Sequence, residues 1–204
     1  MGLFLLSDSQ DDPRVEDLLL KLEKRYNETD TVSCIFTQTK RIIQLEGNIV
    51  TSGELYFKKP NYLRMEHKGE ENLIIYCNGE QIWIEDLDLN EVEVFEFKQV
   101  GAGSRTSRFL PPVFTAENGE LQEFFIIRLI EEKGETSRLE LVPRPHSGYT
   151  FSSLQFDVGS LSRIQWIKIL YANGDWTEMK FRNWKNHPEI SDFFFEYMKK
   201  KITP

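Results

Sequence analysis

The sequence predicts a mainly β protein, an antiparallel meander that closes toward a barrel and is preceded by one helix. Segments rich in apolar and β-branched residues recur about every 10 residues, a spacing typical of antiparallel sandwiches and barrels. Turn residues separate these segments, and Asn78-Gly79 between IIYC and QIWI is the strongest hairpin signal. The chain has 204 residues, 40% of them hydrophobic, which is enough for a substantial core.

The predicted helix comes first. Asp11-Asp12-Pro13 supplies an N-cap candidate and an early proline. Apolar residues then recur at helical spacing, at Val15, Leu18, Leu19, Leu22 and Tyr26. Charged residues occupy the other positions, so this helix should lie with one face on an apolar surface.

Strands are predicted over most of the remaining chain. They are expected at Val32–Ile43, Val50–Lys58, Tyr62–His67, Asn72–Cys77, Gln81–Asp86, Glu91–Phe97, Arg138–Pro143, Phe151–Asp157, Arg163–Leu170 and Trp176–Phe181, with a Phe-rich final strand at Ile190–Tyr197. Gly101–Asn118 interrupts the pattern and is either a short helical element or a functional loop. Leu121–Leu129 fits helix and strand equally well.

Charge and hydropathy exclude several classes of protein. A net charge of −8 offers no electrostatic footprint for nucleic acid or an anionic membrane surface, and it favours basic protein partners. Nothing approaches the roughly 20 apolar residues of a membrane span. The apolar run Leu3–Leu6 is too short for a signal peptide, so residues 1–10 are expected to be a tail of a single domain covering 1–204. Cys34 and Cys77 fit either a disulfide or two buried thiols.

No motif for catalysis or cofactor binding is evident. The chain has no Gly-x-Ser-x-Gly elbow and no phosphate-binding glycine loop, since Gly101-Ala102-Gly103 lacks the third glycine. The histidines His67, His146 and His187 lack metal-ligand spacing. We therefore expect no enzyme activity, no cofactor and no metal.

Several predicted strands carry apolar residues on both faces. Leu55 and Phe57 share one face of their strand, and Leu63 and Met65 share one face of the next. Both faces are apolar in Leu73–Cys77 and in Ile82–Ile84. Two arrangements explain this, a sheet with a helix on one face and a loop on the other, or a curved half-barrel whose concave side holds a lipid.

Four segments in order resemble the LolA family of periplasmic carriers of outer-membrane lipoproteins. Ser33–Gln38 (SCIFTQ) is similar to the family's Phe-x-Gln strand, and Gly53–Pro60 (GELYFKKP) to its Gly-x-Leu-x-apolar-x-Arg-Pro. Asn78-Gly79 followed by Ile82-Trp83 resembles its Asp-Gly-x-x-Leu-Trp. The Phe-rich segment near the C-terminus also fits, so the resemblance covers almost the whole chain.

The resemblance implies an incomplete antiparallel β-barrel, a half-barrel with a helical lid over a hydrophobic cavity. The opening helix and Gly101–Phe114 would form the lid. It further implies a monomeric periplasmic protein that carries the acyl chains of lipoproteins. Cargo would come from an inner-membrane ABC transporter of the lipoprotein-sorting type and pass to an outer-membrane receptor or to the membrane itself.

The resemblance also suggests a site. The residues expected to line the cavity are Leu55, Phe57, Leu63, Met65, Ile75, Trp83, Phe109 and Leu110. Lys59 matches the family's arginine before proline, which hydrogen-bonds backbone carbonyls of the lid. Lysine offers a point charge in place of a planar fork, so Lys59 is either a looser lid latch or a turn lysine that points to solvent.

Other functions remain compatible with the sequence. A LolA-like domain could sense lipoproteins in an envelope stress response, although such sensors generally carry a second domain. A shuttle for lipids or glycolipids would need the same apolar wall. The remaining alternatives are a hydrolase acting on an envelope substrate and an interaction domain with a filled core.

Overall fold

The computed structural model describes residues 12–97, 120–145, 147–186 and 190–198. Helix α1 spans Pro13–Asn27, a short helix α2 spans Glu120–Phe124, and a 3-10 helix spans Asp192–Phe195. The strands are β1 Thr31–Arg41, β2 Ile49–Lys58, β3 Tyr62–Gly69, β4 Leu73–Asn78, β5 Gln81–Asp86, β6 Glu91–Glu96, β7 Phe125–Lys133, β8 Thr136–Pro143, β9 Phe151–Val158, β10 Ile164–Tyr171 and β11 Trp176–Asn186.

All described strands belong to one antiparallel sheet of 11 strands, in the order β6-β5-β4-β3-β2-β1-β11-β10-β9-β8-β7. The two meanders are joined where β1 pairs with β11, and β6 and β7 are the edge strands. This arrangement is an incomplete barrel, so the predicted fold class is confirmed. Within the described ranges, no helix has the length and apolar character needed to cross a membrane.

One face of the sheet, here called the inner face, is mainly apolar. Side chains alternate in every strand, so residues two apart share a face. The inner residues form one continuous core, to which β2, β8 and β10 contribute Leu55, Leu139 and Ile167 among others. Val15 of α1 belongs to this core, and Leu18, Leu19 and Leu22 pack against it. The predicted helix therefore covers the inner face with its apolar side.

Helix α1 begins and ends as its sequence suggests. The Asp12 carboxylate accepts a hydrogen bond from the backbone N–H of Arg14 at 3.0 Å, and Pro13 follows the cap. Lys24 and Arg25 lie in the last turn, where positive charge is favoured. Its 15 residues give a length of about 22 Å.

Two segments differ from the sequence prediction. Leu121–Leu129 is neither all helix nor all strand, because α2 passes directly into β7 at Phe125. The predicted final strand Ile190–Tyr197 is wrong, since its middle forms the 3-10 helix. A strand would send Phe194 and Phe195 to opposite faces, whereas the helical turn lets both rings lie on the sheet.

The opposite face, here called the outer face, carries the C-terminal segment. Phe194 contacts Tyr56 edge-on with ring centroids 4.9 Å apart, and Phe195 is fully buried beside Tyr62. Arg64 stacks over Phe194 and donates to its carbonyl at 3.0 Å. The aromatic side chains on this face of β2, β3 and β4 therefore pack against the C-terminal segment of the same chain.

Candidate ligand-binding face

Two rows of apolar side chains cross the inner face from β1 to β5. The register aligns Cys34, Leu55, Met65, Ile75 and Ile84 in one row. The second row aligns Val32, Phe57, Leu63, Cys77 and Ile82. Neighbouring strands therefore present a wall two side chains deep, which is the surface a hydrocarbon chain requires.

The structure brings together five of the side chains that the sequence placed on this wall, namely Leu55, Phe57, Leu63, Met65 and Ile75. Trp83 does not join them. It pairs with Tyr76 in register and shares the outer face, because its neighbours Ile82 and Ile84 take the inner positions. Phe109 and Leu110 lie outside the described residues.

The wall is closed in this structure. Leu55 and Ile75 have no exposed surface, and Leu63 and Met65 are buried, whereas Phe57 is half-buried. Since the apolar side of α1 packs on this core, displacement of α1 would expose apolar surface to a ligand. The free energy of closing the helix therefore competes with ligand binding.

Lys59 holds the C-terminal end of α1. Its Nζ donates a hydrogen bond to the backbone carbonyl of Asn27, the last residue of the helix, at 2.8 Å. The same Nζ lies 3.3 Å from a carboxylate oxygen of Asp30 and 5.9 Å from the ring centroid of Tyr26. The Tyr26 hydroxyl in turn donates to the Pro60 carbonyl at 2.9 Å. The β2–β3 turn and the end of α1 are thereby tied together.

A second tether lies at the other end of α1. Arg14 Nη1 is 2.9 Å from a carboxylate oxygen of Glu132 on β7, an edge strand. The same guanidinium is 2.7 Å from Asp12. Helix α1 is therefore fastened by polar contacts at its two ends and by apolar packing between them. Arg14 and Glu132 are at least half exposed, and the partly buried Lys59 meets a largely exposed Asp30, so each tether contributes about 1 kcal/mol or less.

Polar side chains interrupt the inner face at one place. His67, Thr51 and Gln38 are buried there, and Thr51 Oγ1 lies 3.4 Å from His67 Nδ1. His67 Nε2 has no hydrogen-bond partner among the described residues. Burial, and then the charge of Lys40, lower the pKa of His67 to about 3, so its ring is neutral at ordinary pH.

Both cysteines are free and buried, so the disulfide alternative is not realised. Burial raises the pKa of the Cys77 thiol to about 11 and raises that of Cys34 as well. Neither thiol is ionised at neutral pH, which leaves both as apolar members of the wall.

Sequence reasoning missed half of the inner face. The second meander contributes Leu139, Leu141, Leu154, Phe156, Ile167 and Ile169, all buried. Their strict alternation was available as a signal in each predicted strand. The tether from Arg14 to Glu132 joins residues 118 apart, and no local pattern indicates such a contact.

Comparison with known proteins agrees with this architecture. The family profile described as outer membrane lipoprotein carrier protein LolA matches residues 27–198. The chain belongs to the LolA family. A relative named outer-membrane lipoprotein carrier protein, from Nitrosomonas europaea, is 23% identical over 172 residues, which cover 84% of this chain and 80% of the relative.

Solved structures share the LolA fold at much lower identity. A DUF1329 family protein from Desulfovibrio piger has a TM-score of 0.52 at 11% identity, covering 91% of this chain and 97% of that one. MucB has a TM-score of 0.51 at 10% identity, covering 92% of this chain and 64% of MucB. At such identities these likenesses concern the fold alone.

Proposed function

We propose that this LolA-family protein is a periplasmic carrier that binds the acyl chains of lipoproteins on its inner face. It would take them from the inner membrane and deliver them to the outer membrane, as a binding protein and not an enzyme. The observation that carries this proposal is the mainly apolar inner face beneath a helix whose polar contacts lie at its two ends. The names of its relatives and the family profile support it.

The energetics suit a carrier. Each buried CH₂ contributes ~0.8 kcal/mol, so a chain of about 16 carbons gains roughly 12 kcal/mol gross on full burial. The apolar side of α1 already occupies part of the inner face, and its displacement reduces that gain. Binding that is strong in gross terms but offset by lid opening permits release to an acceptor.

The partners follow from the same proposal. Acylated lipoproteins are the cargo, an inner-membrane ABC transporter of the lipoprotein-sorting type is the donor, and an outer-membrane receptor or the membrane itself is the acceptor. The charge of −8 suits docking to a basic surface on either protein partner.

The test begins with the native cargo. Protein purified from the periplasm should yield lipid on extraction and mass spectrometry, and delipidated protein should keep an acylated lipopeptide soluble. Absence of bound lipid together with an insoluble lipopeptide would contradict the proposal. Transfer of the bound lipopeptide to outer-membrane vesicles separates a carrier from a sensor, since a sensor binds without delivering.

A matched pair of variants connects binding to the inner face. Phe57 and Trp83 are both half-buried aromatic residues, but Phe57 lies on the inner face and Trp83 on the outer. We expect Phe57→Glu to reduce lipopeptide binding about tenfold or more, because it places a charge on the wall. Trp83→Glu should leave binding unchanged, with circular dichroism confirming that both variants fold.

A further inference from the structure

Two arginines that form no ion pair with another described residue, Arg25 and Arg163, lie near the junction of α1 and β1. Arg163 ends the β9–β10 turn, and its Nη2 donates to Asn186 Oδ1 at 2.8 Å. Asn186 pairs in register with Val32 on β1, which begins four residues after α1 ends. Arg25 lies in the last turn of that helix. Both arginines therefore belong to parts of the chain that meet at the start of β1.

Among the residues that the structure describes, no carboxylate compensates the charge of Arg163. Burial, and then the positive charge of Arg25, lower the pKa of the Arg163 guanidinium. No ion pair of the described residues includes either arginine, and the two carboxylates that follow α1, Glu28 and Asp30, pair with Lys24 and Lys59. A partly buried guanidinium beside a second one is costly unless an anion lies between them.

A third donor lies beside this pair. The Arg163 guanidinium is 5.7 Å from the centroid of the Trp184 ring, which packs against the core. The Trp184 Nε1 is buried and has no hydrogen-bond partner within the described ranges. Buried indole N–H groups usually find an acceptor, so this one favours an acceptor atom supplied by a ligand.

The location connects this cluster to the wall. Arg163 is near enough to Cys34 for its charge to act on the buried thiol, and Cys34 begins the row that continues through Leu55 and Met65. A molecule with an anionic group at Arg163 would therefore have its apolar part aligned with the inner face. That combination describes a lipid with an anionic headgroup, in contrast to the uncharged diacylglyceryl group of a lipoprotein.

We propose that Arg25, Arg163 and the Trp184 indole form an anion site at the mouth of the inner face. It takes the phosphate of an anionic glycerophospholipid whose acyl chains lie along the wall. The inference rests on the proposed lipid carriage and narrows it, because it adds a charged lipid to the cargo. Arginine is suited to the role, since its planar fork binds phosphate oxygens in pairs.

The experiment compares two lipids that differ only in the headgroup. Phosphatidylglycerol and diacylglycerol with identical chains compete with a fluorescent diacylglycerol on delipidated full-length protein. We expect phosphatidylglycerol to bind about tenfold more tightly and to lose this advantage at high salt. Glycerol phosphate is run alone as a competitor, to distinguish a lipid headgroup from free phosphate.

Variants locate the effect. Arg163→Gln and Arg25→Gln, singly and together, should lower phosphatidylglycerol affinity toward that of diacylglycerol and leave diacylglycerol binding unchanged. Arg163→Lys keeps the charge and should retain much of the preference, which separates charge from local misfolding. Arg182→Gln removes one charge from the outer face of β11 and should have no effect.

The outcomes distinguish the two proposals. Equal affinity for both lipids in the unaltered protein, or a preference that survives the double variant, would refute the anion site and leave lipid carriage intact. Failure of both lipids to bind would remove the carrier proposal and this inference together. Glycerol phosphate binding as tightly as the phospholipid would show a site for free phosphate and overturn the assignment to a lipid.

Discussion

Gly53 illustrates a sequence requirement set by backbone packing. A Cβ added at this position would lie 1.6 Å from the carbonyl oxygen of Glu66 on β3, a distance that no side chain tolerates. Glycine within a strand commonly marks such a close approach. The first residue of the Gly53–Pro60 motif is thus explained by the pairing of β2 with β3, and contact with a ligand is not needed to account for it.

The adjacent lysines of the same motif have separate roles. Lys59 Nζ holds the end of α1 through the Asn27 carbonyl, whereas Lys58 Nζ donates to the Ile190 carbonyl at 2.8 Å and pairs with Asp192. Alternation predicts that neighbouring residues of a strand point apart. The sequence could not supply the partners, because each lies more than 30 residues away and only tertiary structure brings it near.

His67 should make the stability of the protein depend on pH. Its pKa is about 3 in the folded chain and near 6.5 when exposed, so the unfolded state binds the proton more readily between these values. The contribution to stability is present above pH 6.5 and is lost as the pH falls toward 3, at about 1.4 kcal/mol per unit. Between pH 7 and pH 4.5 the expected loss is about 2.5 kcal/mol.

A variant isolates this contribution from that of the carboxylates. His67→Leu removes the titrating ring and an Nε2 that has no partner in the described part of the chain, so the variant's free energy of unfolding should fall less steeply from pH 7 to pH 4.5. Urea unfolding at each pH measures the difference. If the free energies of unfolding of the two proteins fell in parallel with pH, burial of His67 would not govern the loss of stability at acidic pH.

At the scale of the element, the features that the sequence did not predict are those set by contacts with neighbouring elements. β5 is apolar on both faces, so period-two alternation does not reveal whether Trp83 or the pair Ile82 and Ile84 faces inward, and only the register with β4 decides. The C-terminal segment was given strand character for its phenylalanines. Its conformation is set by the aromatic surface of β3 and β4, a tertiary effect that overrides propensity.

The C-terminal 3-10 helix offers a test of its docking. Phe195 is fully buried against the outer face, whereas Phe193, two residues earlier, is 70% exposed. Phe195→Ala should lower the free energy of unfolding by about 3–5 kcal/mol, because it leaves a cavity beside Tyr62. Phe193→Ala removes the same atoms from an exposed position, so it should change the free energy of unfolding by less than about 0.5 kcal/mol.

Urea denaturation of the two variants provides the measurement. If both variants lost only a little free energy of unfolding, the segment would be detached from the outer face in solution. Comparable, large losses would mean that Phe193 is also buried, and the docking geometry would then need revision.

At the scale of the molecule, local patterns predicted the two meanders but not how they join. Turn chemistry and alternation located ten strands and the opening helix within a few residues of their bounds. The pairing of β1 with β11 connects Phe36 with Phe181, which lie far apart in sequence, and no local feature encodes it. The resemblance to the LolA family implied an incomplete barrel with a lid, but it did not specify this pairing.

The lid and the wall are coupled through the two tethers of α1. Arg14 fastens one end of the helix to Glu132, and Lys59 fastens the other end through the Asn27 carbonyl, at sites too distant to share a partner. If closed α1 excludes the ligand, weakening either tether raises the fraction of open molecules and the apparent affinity rises in proportion. Arg14→Ala and Lys59→Ala should each raise lipopeptide affinity about threefold, and their effects should combine to about tenfold in the double variant, since the free energies of separated sites add.

Titration of a fluorescent lipopeptide measures the affinity, and hydrogen exchange of the α1 amides is expected to quicken in parallel. Lys58→Ala is the control, because Lys58 binds the C-terminal segment on the outer face and should leave affinity unchanged. A fall in affinity on weakening the tethers would assign α1 the opposite role, that of a surface which holds the ligand when closed.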